Sequence, residues 1–517
     1  MKDGESLKID RSLKVIVSAS FIILLTTFIS KILTYLYRIV IARYYGVEIY
    51  GVYSISLMVI GWVTVFAGLG FAGGLTRYLS YHRGKNEEYK SSYLVKKTTF
   101  FLIISGIIGC LIIILTSSFI ANQIFHIAEL QTFLIIFSLS IPFSVLAGIF
   151  FSILRSYEKI GWFAFIVNIL QNSVKLLALV FLIYLGFSSK SIAVSHVAGV
   201  AIALVVAYII SRKKIPFIFK EQKVKDAHST MMQLVSYSWP LIFFGFIASI
   251  LSWTDTFMIG VLRTTTEVGF YNAAVPIAVI INISADLFKQ MFLPIITKEY
   301  GKGNIATVKV ITRQVTKWLF VISIPLFIAI FLFPQEAIRI LFGEQYLPAS
   351  NSLRILAVGF FIASILDVSQ EVLSMKGRSK LILMDTIVIA VVNIILNYIL
   401  IPIYGISGAA FSTTFSISAL SILFTYQVRK SSSIFIIKRD VIKVLFSGIV
   451  AFLLTWFSFL YITEEIPRLI VGGILFVLTY FLLIYLTHSI DKNDYMILRA
   501  IKGKLTKMSQ IQTGVPD

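Results

Sequence analysis

The 517-residue sequence predicts an all-α polytopic membrane protein of fourteen transmembrane helices: two six-helix lobes in a parallel pseudo-two-fold repeat, plus two extra C-terminal helices. Three observations predict it. Apolar stretches long enough to cross a bilayer recur along the chain, basic residues fall in every second gap between them, and landmarks of the first half return about 219 residues later.

A helix needs about 20 apolar residues to span the hydrocarbon. That criterion places spans near 13–42, 49–71, 98–121, 130–154, 162–186 and 191–211. A second series runs near 232–262, 268–296, 314–333, 350–373, 381–401, 406–428, 444–462 and 466–488. The first apolar run is too long for a signal peptide's apolar region and no small-residue cleavage site follows it, so it is expected to stay as the first helix. Composition agrees with a lipid-embedded chain: charged residues make up 14% and apolar ones 58%, against roughly 25% charged in a soluble domain. The single Cys110, in mid-span, excludes an intrachain disulfide.

Of 46 Lys and Arg, 36 fall in the termini and alternate loops, six (Arg43, Lys190, Arg263, Arg339, Arg354 and Arg468) in the opposite loops, and four (Lys31, Arg38, Lys175 and Lys289) inside spans. Cytoplasmic loops retain Lys and Arg during insertion. The bias therefore predicts a multi-pass protein of the cytoplasmic membrane with both N and C termini cytoplasmic. The net charge of +21 is thereby accounted for by topology, and no nucleic-acid partner is expected, because a nucleic-acid binder gathers its charge on one face or tail.

Glu48 and Glu267, Gly84 and Gly303, Lys90 and Lys309, and Gly186 and Gly405 are each 219 residues apart and fall at matching topological places. Gly51 and Tyr53 return one residue sooner, as Gly269 and Tyr271. A unit of six helices is even, so both copies enter the membrane in the same orientation, a transporter design with the substrate path at the interface between halves. The expected division is an N-terminal lobe at 1–211, a cytoplasmic interlobe linker at 212–231, a C-terminal lobe at 232–428, helices thirteen and fourteen at 429–488, and a basic cytoplasmic tail at 489–517. Apolar residues at near-helical spacing in that tail, with Arg and Lys between them, suit a helix lying on an anionic leaflet.

The run Tyr44, Tyr45, Gly46, Val47, Glu48, Ile49, Tyr50, Gly51, Val52 and Tyr53 resembles the opening signature of the polysaccharide-transporter (Wzx-type flippase) branch of the MOP/MATE-like superfamily. Glu267, Val268, Gly269, Phe270 and Tyr271 resemble its second copy; Leu341, Phe342 and Gly343 with Tyr346 are similar to a further mark, and Ile401, Pro402, Tyr404, Gly405, Ile406, Gly408, Ala409 and Ala410 match the run before the twelfth helix. Fourteen helices suit the Wzx-type and MurJ-type flippases better than the drug exporters of the same superfamily.

A charge at the centre of a membrane helix costs about 2.5–3.5 kcal/mol on insertion scales and so usually faces a cavity or a partner. Gln171, Asn172 and Lys175 follow Asn168 at steps of three, four and seven, on one helical face. Asn282, Asp286, Lys289 and Gln290 repeat the arrangement in the eighth span, and Lys31 and Arg38 lie two turns apart in the first. Read functionally, these stripes line a central cavity in which Lys31, Lys175 and Lys289, with Arg38, hold a lipid diphosphate, cations being what such a group needs to leave water. Structural readings stay open: Asp286 and Lys289 could neutralise each other, and Arg38 could snorkel outward. Asp255 and Asp286 are candidates for ion or proton coupling, by Na+ or H+. Asp367 and Glu371 are expected to pair with Lys376, Arg378 and Lys380, and Asn393 and Asn397 to bond to neighbouring helices. Prolines at 142, 240, 276, 294 and 325 can bend their helices.

No phosphate-binding loop with a Lys-Ser/Thr ending occurs, and the five His lack metal-site spacing. No cofactor or metal is expected, nor an enzyme, the loops being too short for a transferase domain. The reading is a flippase that moves a polyprenyl-diphosphate-linked oligosaccharide by alternating access, with membrane lipids around it and a glycan polymerase or glycosyltransferases as partners. The alternatives are a MATE-like ion-coupled multidrug antiporter and a membrane-embedded glycan polymerase or ligase.

Overall fold

The computed structural model describes residues 2–220, 224, 226–431, 439–459, 461–462, 465–487 and 489, with side chains described from residue 25 onward except at 284, 287, 290, 291, 439, 440, 465 and 466. Gln290 and the tail at 490–517 therefore lie outside the described residues. Among the described residues every regular element is helical. Twelve stretches are long and apolar enough to cross a membrane. The first of them, Leu25–Ala67, is 43 residues long and takes in residues 25–42 of the first expected span and most of the second. The expected span 268–296 is not among the twelve; a 3-10 turn at Ile280–Asn282 divides it.

Helix α1, Lys2–Ala67, breaks at Gly46, whose φ of 85° and ψ of 179° are open only to glycine. A tight turn at 68–70 leads to α2, Phe71–Gly84. There follow α3, Glu88–Phe119, α4, Ala128–Ser138, α5, Ser140–Ser156, α6, Ile160–Ala164, α7, Gln171–Tyr184, α8, Ser191–Lys214, and α9, Ala227–Leu262. Between α6 and α7 the chain winds as a π-helix over Phe165–Leu170. The second copy continues as α10, Thr265–Val279, and α11, Ile283–Gly301. Next come α12, Ile305–Leu332, α13, Pro334–Phe342, α14, Ala349–Leu366, and α15, Val368–Met375. The last four are α16, Ser379–Tyr404, α17, Ile406–Ser431, α18, Arg439–Ser458, and α19, Glu465–Leu486. Gly186 and Gly405, the matched turn glycines, both take left-handed φ, 76° and 56°.

The chain separates into two compact units. The first holds residues 1–276, 338–352 and 390–413; the second holds 277–337, 353–389 and 414–517. In the first, helices approach closely through small residues, the packing that serves when lipid offers no hydrophobic drive. Ser152 and Ser156 of α5 donate to the carbonyls of Ala72 and Thr76 in α2, and Ser105 of α3 donates to Ala67. Tyr37, fully inside, donates to the Ile192 carbonyl at 2.9 Å. In the second unit Ala285, Phe292, Val308, Val372 and Phe424 join α11, α12, α15 and α17 in one core, while Phe320, Ile324, Val444 and Tyr480 join α12 to α18 and α19.

Large apolar side chains also cover the outside, Leu115 at 80% and Tyr184 at 86% exposed among them. A soluble protein rarely shows contiguous apolar surface on this scale. On these twelve apolar spans it is the lipid-facing side. The described residues that follow α8 pack against the first unit. Ile215 and Ile218 are buried, the Phe217 ring packs on Tyr157, and Phe219 packs on Phe150 and Tyr208.

Candidate functional site

Three cations of the predicted set lie in the first unit. Lys31 is half-buried on α1. Two turns later Arg38 turns inward rather than snorkelling, its guanidinium 3.5 Å from the hydroxyl of Tyr50, which itself donates to the Asn272 carbonyl at 3.0 Å. Lys175, on α7, has no carboxylate within ion-pair distance among the described residues. Its room is made by Gly199 of α8, where an added Cβ would sit 2.4 Å from the lysine's Cγ.

The polar stripe beside Lys175 is committed differently from what helical spacing suggests. Asn168 donates to Thr26 at 3.1 Å and Asn172 to Ser30 at 2.9 Å, so both amides tie α7 and its π-turn to α1. The π-turn over Phe165–Leu170 leads directly into α7, which carries Lys175. Gln171 is half-buried and makes no hydrogen bond to a described residue.

In the second unit Lys289 takes Asp367 as its partner at 2.6 Å, rather than Asp286. This corrects two expectations at once. Lys289 is a neutralised cation, and Asp367 is not paired with the basic loop, whose Lys376 instead donates to the Ser431 carbonyl at 2.7 Å. Asp286 is exposed. Asn282 ends the 3-10 turn, and its buried carbonyl oxygen has no hydrogen-bond partner among the described residues.

Asp255 of α9 has the richest surroundings. It accepts hydrogen bonds from Tyr271 of α10, from Thr413 of α17 at 2.5 Å and from Asn397 of α16 at 2.8 Å. Asn397 also donates to Asn393 at 3.1 Å, and its side-chain amide oxygen is buried with no hydrogen-bond partner among the described residues. Arg263, the nearest candidate counter-ion by sequence, is occupied elsewhere: it bonds to the carbonyls of Ile401 and Pro402 and lies 4.0 Å from Glu267. The cluster is thus a carboxylate with amide and hydroxyl oxygens gathered from four helices. Such hard oxygen donors suit a proton or an alkali or alkaline-earth cation and would not hold a soft metal. Sequence reasoning singled out Asp255 but not Thr413 or Tyr271, because neither the 158-residue separation from Thr413 nor the turn to Tyr271 shows in helical spacing.

Apolar spans, an unopposed lysine within them and a polar oxygen cluster crossing four helices define a multi-pass membrane transporter. Its fold is shared with solved structures: the lipid II flippase MurJ in an inward closed conformation (TM-score 0.72, 16% identity, covering 90% of this chain and 98% of that one) and an inward-facing multidrug MATE transporter of the MOP superfamily (TM-score 0.65, 13% identity, 80% and 98%). The profile of the family described as polysaccharide biosynthesis protein matches residues 16–299, more than half of the chain, and the chain belongs to that family. The MatE profile matches residues 240–399. A Shigella flexneri protein assigned as an O-antigen transporter is 24% identical over 404 residues, 76% of this chain and 93% of its own. A Haloferax volcanii protein assigned as the low-salt glycan biosynthesis flippase Agl15 is 25% identical over 394 residues, 76% and 79%.

Proposed function

We propose that this protein flips a polyprenyl-diphosphate-linked oligosaccharide, on an undecaprenyl or dolichyl carrier, across the cytoplasmic membrane by alternating access, for polysaccharide or cell-surface glycan biosynthesis. Both termini face the cytoplasm in this reading, following the charge bias of the loops. The observation that carries it is Lys175: a lysine inside a span, without a carboxylate partner among the described residues, favours an anionic cargo. Arg38 and Lys31 on α1 add cations to the same unit, and Arg38 brings the planar fork that suits phosphate oxygens. Lys289 joins them only if the diphosphate displaces Asp367. Family membership and the flippase and O-antigen relatives support the same class.

Asp255 serves in this reading as the coupling site, exchanging Na+ or H+ as the transporter changes state. Membrane lipids hold the prenyl tail outside the protein, and glycosyltransferases and a glycan polymerase supply and consume the cargo. The MatE match over residues 240–399 favours a second reading, ion-coupled drug export. An organic cation, however, would meet lysine where it needs a carboxylate.

Purified protein in vesicles, with a fluorescent lipid-diphosphate oligosaccharide in both leaflets, tests the choice. Translocation faster than in empty vesicles, and slowed at least 10-fold by Lys175→Ala, is expected. No acceleration, with export of a cationic dye instead, would replace the proposal by the antiporter.

A further inference from the structure

Helices α2 and α9 cross tightly and then part. At the crossing, a Cβ on Gly70 would lie 2.2 Å from the Ser238 carbonyl and one on Gly74 would lie 2.1 Å from the Ser238 hydroxyl, so only glycine permits the approach. One turn beyond Gly74 the helices flank an open surface cavity of about 600 Å³. Tyr78 of α2 and Tyr237 of α9 form its aromatic wall, their rings edge to face with centroids 6.0 Å apart. The Arg77 guanidinium sits 4.2 Å from the Tyr237 ring centre and holds that ring in place.

The same face of α9 carries Ser229 and Gln233, eight and four residues before Tyr237, with Ser236 beside it, and His228 and Met232 complete the lining. Elsewhere on α9 the hydroxyls of Thr230, Ser252 and Thr254 close onto the carbonyl four residues back. Ser229, Gln233 and Ser236 make no hydrogen bond to a described residue. Among the described residues no Lys, Arg, Asp or Glu lines the cavity, and His228 is its one side chain able to take a positive charge.

A phosphate would need cations in such a lining, and an acyl chain would need a dry apolar one. Aromatic rings beside uncharged hydroxyl and amide groups match a sugar, whose ring offers a C–H face to an aromatic and hydroxyls at its edge. We propose that this cavity is a glycan-binding subsite, which reads the sugars of the lipid-linked oligosaccharide on the cytoplasmic side while the diphosphate is held elsewhere. The subsite rests on the flippase reading for its cargo, and a volume of this size suits two or three sugar rings.

The test uses the full chain with lipid-linked oligosaccharide extracted from its source cells and the same lipid trimmed to one sugar. In vesicles, wild type should reach half-saturation at lower concentration with the long glycan than with the trimmed one. Tyr237→Ala should shrink that preference about 10-fold, Gln233→Ala about 3-fold, and Tyr237→Phe, which keeps the ring, should retain it. A second readout needs no transport: saturation-transfer NMR should show the released, water-soluble glycan on the wild-type protein in detergent, and lose it in Tyr78→Ala. An unchanged preference in both alanine variants at α9, or no NMR transfer to the wild type, overturns the subsite. NMR binding with no translocation of either lipid would leave the subsite standing and remove the flippase function.

Discussion

Gly51 of α1 lies against the backbone carbonyl of Thr265, so close that a Cβ would stand 2.1 Å from the oxygen. The relation is reciprocal. Gly269 of α10 lies against the carbonyl of Val47, its Cβ position 2.3 Å away, and each residue of one pair stands 218 positions from its counterpart in the other. This exchange is what a local two-fold relation between the two copies produces, with the Gly46 break before one helix and the Arg263 break before the other.

Gly51→Ala should therefore force the two helices apart by more than side-chain relaxation can absorb. The expected loss is about 1–3 kcal/mol of stability, the usual range for overpacking. Gly61→Ala, on the same helix with nothing within 4 Å, is the control and should be neutral or slightly stabilising. Thermal unfolding in detergent reads both; equal melting temperatures would show that the crossing yields without strain.

Asp255→Asn keeps an oxygen to accept from Tyr271 and Thr413 but removes the charge. In vesicles with an imposed Na+ or H+ gradient, wild type should translocate substrate several-fold faster than without one, and the Asn variant should ignore the gradient. Thr413→Val, which removes one donor to the carboxylate, should weaken the response by a smaller factor, since a hydrogen bond to a charged group is worth about 1.5–3 kcal/mol. A gradient response surviving in Asp255→Asn would move the coupling site elsewhere.

The all-helical, many-spanning fold was legible in the sequence, because the length and apolarity of each stretch are properties of the chain itself. Gly46 illustrates the point: the expected gap between spans at 43–48 is where α1 breaks. Partners across helices were not legible. Helical spacing pairs Lys289 with Asp286, three residues away, whereas packing gives it Asp367 on another helix. The stripe Asn168, Asn172 and Lys175 reads as one face at 100° per residue, but spacing does not show that the two amides find Thr26 and Ser30 of α1, each 142 residues back in the chain. Around Asp255, three of the four contributing helices come from distant parts of the sequence or beyond a break, so only the carboxylate itself could be singled out.

The Lys289 and Asp367 side chains are 34% and 16% exposed. Lys289→Ala should leave a largely buried carboxylate without its cation. For a fully buried pair the cost is about 3–5 kcal/mol, and partial solvation lowers it toward about 1–3 kcal/mol. Adding Asp367→Ala should recover most of the loss, because the desolvated charge is then gone. A double-mutant cycle on unfolding free energy measures the coupling; a double variant no more stable than Lys289→Ala would mean that the lysine stabilises through packing of its stem.

Arg43, three residues before the Gly46 break, reaches the last turn of α13 and donates to three of its carbonyls: Leu341 at 2.9 Å, Arg339 at 3.4 Å, and Ile340. The Ile340 and Leu341 oxygens fall in the last turn, where the helix offers no further N–H, the Arg339 oxygen also accepts from the Gly343 N–H at 3.0 Å, and a cation there meets the negative end of the helix dipole. Tyr346 fastens the following turn by donating to the Ala42 carbonyl at 3.2 Å. Arg43→Ala should release the end of α13 without unfolding α1, since the arginine is exposed and packs no core. Charge-assisted bonds of this kind are worth about 1.5–3 kcal/mol, so amide exchange at 342–346 should quicken roughly 10- to 150-fold, with little change in the core of α1. Arg43→Lys should restore only part of the protection, because an ammonium cannot reach three carbonyls with a planar fork. Exchange rates that stay at the wild-type level in Arg43→Ala would assign the anchoring of this segment to Tyr346 alone.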